Sequence, residues 1–190
     1  MIMNIQKFIE NNIQLIDNNE YQKLYTLLIH DASVNALDIS ELTHILLESG
    51  INPLEHTSTI PAYYSAYLSI DSVDIPPTIV HIEECAFERC DKLTSVVLPQ
   101  SVKTIDDFAF NNCKNLERCV LPASLLRIGD GVLYNCSKLT RVTYLGTMEQ
   151  FQEIDTDNHW TTGTPTQIEC TDGVLARVWK GDRFGYQLVS

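Results

Sequence analysis

The sequence predicts an α+β fold: a short right-handed solenoid with a helical cap at its N-terminus and a β cap at its C-terminus. Apolar and proline residues recur every 23 positions over residues 69–146. Residues 1–68 show the apolar spacing of helices, and residues 147–190 end in two alternating segments typical of a hairpin. A single coil of this length cannot bury its apolar side alone, so neighbouring coils must stack.

Eight rows of residues in register define the repeat. One is a proline row, and the other seven share an apolar character that suits a common core. The rows are Pro76, Pro99 and Pro122; Ile82, Ile105 and Ile128; Phe87, Phe110 and Leu133; Cys90, Cys113 and Cys136; Leu93, Leu116 and Leu139; Ile79, Val102 and Leu125; Val73, Val96, Cys119 and Val142; and Ile75, Leu98, Leu121 and Tyr144. In each repeat two inward residues alternate along a short strand, which the proline ends because it has no N–H for the ladder. The period therefore predicts parallel strands about 4.8 Å apart in neighbouring coils.

The chain has six cysteines, of which three form one of these rows. They are Cys85, Cys90, Cys113, Cys119, Cys136 and Cys170. Neighbouring cysteines in a row could form a disulfide or hold a metal, but no pair has the C-x-x-C spacing of a zinc site. A free cysteine behaves as a small hydrophobic residue with a weak S–H donor. The row therefore predicts a column of reduced, buried thiols.

The segment Leu-Thr-Ser-Val-Val-Leu-Pro-Gln-Ser-Val-Lys-Thr-Ile-Asp-Asp-Phe-Ala-Phe-Asn-Asn-Cys, residues 93–113, resembles the BspA-type leucine-rich repeat family. The resemblance covers about residues 70–173 and implies a right-handed leucine-rich repeat solenoid. Residues 143–154, Trp160 and residues 168–173 look like the ending seen in this family, where a helix and a closing strand replace the last coil. The third repeat departs from the pattern, with Val132 and Leu133 in place of Ala-Phe. Members of the family are often surface proteins that contact host proteins.

Residues 1–68 predict helices that cap the open end of the solenoid, because an exposed end would leave apolar surface and strand edges in water. Apolar positions are Ile5, Phe8, Ile9, Ile13 and Leu15 in a first helix, Tyr21, Leu24, Leu27 and Leu28 in a second, and Leu42, Ile45, Leu46 and Leu47 in a third. The third helix is expected to begin at Asp38, with Glu41 completing a capping box, and to end at Gly50.

A short helix is expected at residues 61–66, after which the cap meets a first strand at Val73–Ile75. The alternative is that the helices form an independent binding module. This helical lead, joined to such repeats, also resembles small proteins of gut bacteria and their phages.

The C-terminal segment predicts a hairpin that extends the final sheet and closes its edge. Residues 174–179 and 184–189 alternate in polarity, and Lys180, Gly181 and Asp182 supply the turn.

No motif of enzyme chemistry is present. The histidines form no H-x-x-x-H or H-E-x-x-H pair, and no G-x-S-x-G elbow, phosphate loop or dinucleotide fingerprint occurs. The pairs Glu83–Glu84 and Asp106–Asp107 share a repeat phase that Gly129–Asp130 takes in the third repeat. Paired carboxylates can do acid–base work or hold calcium, but these precede an expected helix, whose N-terminus acids stabilise.

Trp160, beside His159, is interpreted as a capping aromatic residue. The sequence thus predicts no catalytic, cofactor or metal site, and no enzyme.

The outward side of the strands is the surface that the repeat marks for a protein partner. Between the inward residues of each strand one side chain points out. The predicted partner-binding residues are Asp74, Ser95, Val97, Arg118, Val120, Arg141 and Thr143. Stacked arginines beside β-branched residues favour a protein interface, although β-branched residues also simply favour strands.

A formal net charge of −12, with 25 acidic and 13 basic side chains, disfavours direct nucleic-acid binding. A second hypothesis is an acidic decoy that occupies the basic site of a nucleic-acid-binding protein, as in a conflict between phage and host. No apolar run is long enough to span a membrane, and no signal peptide is recognisable, so a cytoplasmic location without membrane partners is expected. The partner's identity and the oligomeric state stay open.

Overall fold

The computed structural model describes residues 5–12, 23–24, 27, 36–48, 52–54, 57–66, 68–157, 159–161, 167–179 and 184–189. Within these ranges, no helix has the length and apolar character that crossing a membrane requires. The N-terminal helices are α1 (Ile5–Asn11) and α2 (Ala36–Glu48). The helix that follows the repeats is α3 (Met148–Glu153).

Two sheets run along the solenoid, and each coil after the first contributes one strand to each sheet, whereas the coil of β1 contributes only to the smaller one. The smaller sheet has five parallel two-residue strands, β1 (Thr59–Ile60), β2 (His81–Ile82), β4 (Thr104–Ile105), β6 (Arg127–Ile128) and β8 (Asp155–Thr156). The larger sheet contains β3 (Ser95–Val97), β5 (Arg118–Leu121), β7 (Arg141–Tyr144), β9 (Gln167–Cys170), β10 (Gly173–Trp179) and β11 (Phe184–Leu188). Its strands lie in the order β11-β10-β9-β7-β5-β3. The predicted solenoid of leucine-rich repeats is confirmed.

The register of the sheets follows the rows of the repeat. Val96 pairs with Cys119, and Cys119 pairs with Val142 in the next strand. All three are at most 1% exposed. Stacked coils therefore bury each row as one continuous column, which is why the coils are stable only together.

The cysteine row is a column of free, buried thiols, as predicted. Each Sγ donates to a backbone carbonyl of the preceding coil: Cys90 to Ser65 at 3.1 Å, Cys113 to Phe87 at 3.2 Å and Cys136 to Phe110 at 3.2 Å. The rings of Phe87 and Phe110 stack beside the column with centroids 5.1 Å apart. Each of these carbonyls also accepts a backbone N–H of its own turn, so the S–H group adds a second hydrogen bond that links neighbouring coils.

The segment after each short strand is a series of turns and not the expected helix. Cys85, Phe108 and Gly131 share one repeat phase and adopt positive φ angles of 55°, 58° and 58°. A Cβ on Gly131 would lie 2.5 Å from Cδ1 of Phe108, so only glycine fits below that ring. The helix-start interpretation of the paired carboxylates is therefore wrong. Instead, Glu83 accepts a hydrogen bond from the N–H of Ala62 at 3.0 Å, across to the preceding coil.

The solenoid begins before the three predicted repeats. Thr59 pairs with His81, and the Ser65 N–H donates to the Ala86 carbonyl at 2.8 Å. The helix expected at residues 61–66 is a set of turns in this additional coil. The strand expected at Val73–Ile75 does not form, and β3 is the edge strand of the larger sheet.

The N-terminal helices share the hydrophobic core of the solenoid. Leu24, Leu42 and Leu46 are at most 2% exposed and belong to the same apolar cluster as the repeat rows. Helix α2 begins at Ala36, two residues before the predicted start at Asp38. Most of the predicted second helix, residues 13–15 of the first and the expected end at Gly50 lie outside the described residues.

The C-terminal cap follows the prediction. Thr147 and Gln150 form a capping box at the start of α3, which buries Phe151. Strand β9 adds in parallel to β7, and β10 and β11 continue the sheet as an antiparallel hairpin whose predicted turn lies outside the described residues. Trp160 is 2% exposed and donates from Nε1 to the Tyr186 hydroxyl at 2.8 Å, which confirms its capping role.

Candidate functional site

The larger sheet brings most of the predicted partner-binding residues together on its outer side. Ser95 pairs with Arg118, and the same register places Arg118 next to Arg141 on β7. Val97 is 49% exposed, both arginines are exposed, and Ser95 and Thr143 are half-buried. The strand-face patch is defined here as Ser95, Val97, Arg118, Arg141 and Thr143.

Two of the predicted residues do not belong to this patch. Val120 was expected to be exposed but is only 3% exposed. It lies between Val97 and Thr143 in the register, so side chains of both neighbouring strands shield it from water. Asp74 is exposed but lies on no strand, because the expected strand at Val73–Ile75 is absent.

The two arginines of the patch have different surroundings. Arg141 donates from Nη1 to the Glu169 carboxylate and from Nη2 to Oε1 of Gln167 at 3.1 Å, which ties β7 to the closing strand β9. Arg118 has no ion-pair partner among the residues that the structure describes. An unpaired guanidinium can form a salt bridge with an external carboxylate without losing an internal one, and of the two arginines only Arg118 is in that state.

A groove of about 340 Å³ continues the patch toward the C-terminal cap. Thr143, Leu145, Glu169, Cys170 and Val174 contribute to its lining, and Leu145 is 42% exposed. Burial raises the pKa of the Cys170 thiol from 9.0 to about 11, so it stays protonated and unreactive at neutral pH. The strand pattern of the sequence marks Leu145 neither as inward nor as outward, since it lies just past β7. The groove forms where β7, β9 and β10 meet.

Three polar residues from two separate parts of the sequence meet on the other side of the solenoid. Asp130, Asp157 and His159 each offer a ligand atom, and these atoms lie within 4.8 Å of one another. The one feature of the sequence that pointed to this cluster is that Asp130 occupies the same repeat position as the paired carboxylate Asp107.

Cys119 lies under the strand-face patch and, like Cys170, is not a nucleophile. It is buried, and burial raises the pKa of its thiol to about 12.

A family model described as the BspA type leucine rich repeat region matches residues 58–160 with six copies, which is more than half of the 190 residues. Among solved structures, the chain is similar to a leucine rich cell surface protein from Faecalibacterium prausnitzii A2-165, with 28% identity and a TM-score of 0.42. That similarity covers 53% of this chain and 33% of the other, so the chain spans about a third of that protein's length. A search of curated proteins finds no match.

Proposed function

Because this chain belongs to the BspA-type leucine-rich repeat family, we propose that it binds a protein partner through the strand-face patch and does not act as an enzyme. Repeat solenoids present extended surfaces that suit protein binding. The observation that carries the proposal is Arg118, an exposed guanidinium without an ionic partner in the described chain, next to Val97, which is 49% exposed. Arginine beside exposed apolar side chains is the composition enriched at protein interfaces.

The size of the larger sheet sets how much of the chain must take part. The four parallel strands β3, β5, β7 and β9, spaced about 4.8 Å apart, make a face roughly 15 Å wide, and their length of three or four residues makes it only about 10–13 Å high. A standard interface buries about 800 Å² on each partner, more than this face offers. We therefore place the groove beside Leu145, where a partner's apolar side chain would fit, in the same interface.

Affinity capture from cells that express the chain tests this proposal. Arg118→Glu and Val97→Ser should each lose the same captured protein, because one reverses the anchoring charge and the other removes apolar contact. Lys103→Glu is a matched control: Lys103 is exposed next to the smaller sheet, and the change in net charge equals that of Arg118→Glu. A partner that is retained by both patch variants, or lost by the control, contradicts the assignment.

The acidic-decoy hypothesis predicts a different salt dependence. A decoy that binds through many carboxylates would weaken steeply as ionic strength rises, whereas a patch with one central arginine would weaken little. Measuring the affinity for the captured partner across a salt series separates the two.

A cytoplasmic location is a separate proposal. It is supported by the six cysteines, all of which are free, as is usual in a reducing compartment. Fractionation of the native cells with an antibody to the chain tests it, and recovery on the cell surface would overturn it.

A further inference from the structure

The cluster of Asp130, Asp157 and His159 lies where the last two coils leave the smaller sheet. Asp157 directly follows β8, and Asp130 lies two residues after β6. Asp157 and His159 are exposed to solvent, and Asp130 is half-buried. One carboxylate comes from one coil, while the other carboxylate and the imidazole come from the next. A group held by all three would bridge the two coils.

A backbone ladder explains why these side chains meet. The N–H of Phe108 donates to the Asp130 carbonyl at 2.8 Å, and one coil later the N–H of Gly131 donates to the His159 carbonyl at 3.1 Å. His159 therefore takes, in the last coil, the place that Asp130 holds in the coil before. The N–H of Asp157 likewise donates to Ile128 at 3.2 Å, which fixes the second carboxylate beside the first.

The carboxylate of Asp130 lacks the hydrogen bond that its counterpart makes. In the preceding coil, Oδ1 of Asp107 accepts from the N–H of Asp130 at 2.9 Å. Oδ1 of Asp130 is itself buried, and among the described residues it has no hydrogen-bond partner. A buried carboxylate oxygen without a donor is costly, so binding of a cation at this oxygen would be favourable.

The nearest arginine does not supply that charge. Arg127 lies in β6 but directs Nη1 to Asp106 at 2.8 Å and Nη2 to Asp107 at 3.9 Å, both in the preceding coil. The described residues contain no salt bridge within 4.0 Å between His159 and either aspartate of the cluster. Two carboxylates and one imidazole thus converge without an internal cation.

We propose that Asp130, Asp157 and His159 bind one divalent first-row transition metal ion, such as Zn²⁺. A mixed set of carboxylate oxygen and imidazole nitrogen suits these ions, whereas Ca²⁺ and Mg²⁺ prefer oxygen ligands alone. Three protein ligands leave the remaining coordination positions to water. Because the ligands belong to two coils, the ion fastens the last coil of the smaller sheet to its neighbour and stabilises the folded state.

Calorimetric titration of the full chain with Zn²⁺ under reducing conditions tests the site. One ion should bind per chain, and Asp157→Asn and His159→Ala should each weaken binding by roughly 10-fold or more. Two controls should keep the affinity within about twofold, since neither removes a ligand. Asp155→Asn changes an exposed acid two residues from Asp157, and His44→Ala removes an exposed histidine on α2.

The unfolding temperature of Asp130→Asn, measured with and without Zn²⁺, separates loss of metal binding from loss of the folded state. Without metal, this variant should unfold at the same temperature as the wild type or higher, because a buried unpaired charge has been removed. With Zn²⁺ it should lack the upward shift that the wild type shows. The proposal is overturned if no Zn²⁺ binds at millimolar concentration, if Ca²⁺ or Mg²⁺ binds as tightly as Zn²⁺, or if the ligand variants bind like the controls.

Discussion

Arg141 on β7 forms an ion pair with Glu169 on the parallel neighbour β9, whereas Arg118, one strand away, has no ionic partner in the described chain. The two arginines are equivalent in the repeat. The pairing of β9 makes Arg141 a link to the C-terminal cap and leaves Arg118 available to a partner.

Arg141→Glu should lower the free energy of unfolding by about 1 kcal/mol, because it places two carboxylates side by side where an ion pair stood. Arg118→Glu should change it by less than about 0.5 kcal/mol, as expected for an exposed residue without a partner. Urea unfolding of both variants checks this. Equal losses would mean that the pair with Glu169 contributes nothing.

Cys113→Ala should destabilise the chain by about 1–3 kcal/mol, because it removes the thiol that bonds the Phe87 carbonyl and leaves a small cavity. Cys170→Ala is the matched control, since that thiol is only half-buried and should cost less than about 1 kcal/mol. Denaturant midpoints under reducing conditions measure the difference. A Cys113→Ala variant as stable as the control would exclude a structural role for the thiol column.

Stability should fall in alkali partly through Cys119, whose pKa burial raises from 9.0 to about 12. Below pH 9 the thiol is protonated in both states and its full contribution is present. Between pH 9 and about pH 12 the thiol is deprotonated in the unfolded chain only, so the free energy of unfolding falls as the pH rises. Cys119→Val matches the neighbouring Val96 and Val142 and should lose less stability than the wild type between about pH 8 and pH 11, by on the order of 2–3 kcal/mol. Parallel pH profiles of the two chains would contradict burial of a neutral thiol.

Gly131→Ala should cost about 1–3 kcal/mol, because alanine is strained at a φ of 58° and its Cβ would collide with the Phe108 ring. Gly173→Ala is the control: its new Cβ would crowd only the flexible end of Met148, at 2.9 Å, and would make an ordinary contact with Cδ1 of Leu188 at 3.5 Å. Thermal unfolding of both variants tests the comparison. A larger loss at Gly173 would show that the turn after β6 tolerates a side chain.

The rows of the repeat predict the core of the solenoid because burial enforces a constant spacing wherever coils are identical. Prediction fails where the spacing changes. Ile60 precedes its partner Ile82 by 22 residues and not 23, so the 23-residue spacing does not identify the first coil. Asp130 and His159 are 29 residues apart although they occupy the same phase, so the cluster of the last coil has no sequence signature.

The solvent exposure of side chains within the sheet is the second property that the sequence does not fully predict. Alternation correctly places Val97 and Thr143 outward, but it cannot report that neighbours on both sides cover Val120. That depends on the number of strands that pair, and strand pairing depends on the whole chain.

Photo-crosslinking from single positions shows whether a partner lies on the strand face. A photoreactive residue replaces Val97 on the patch or, as the control, Leu126, which is 61% exposed just before β6 of the smaller sheet. Position 97 should crosslink to one partner and position 126 to none. A partner that crosslinks from position 126 and not from position 97 would contradict this placement.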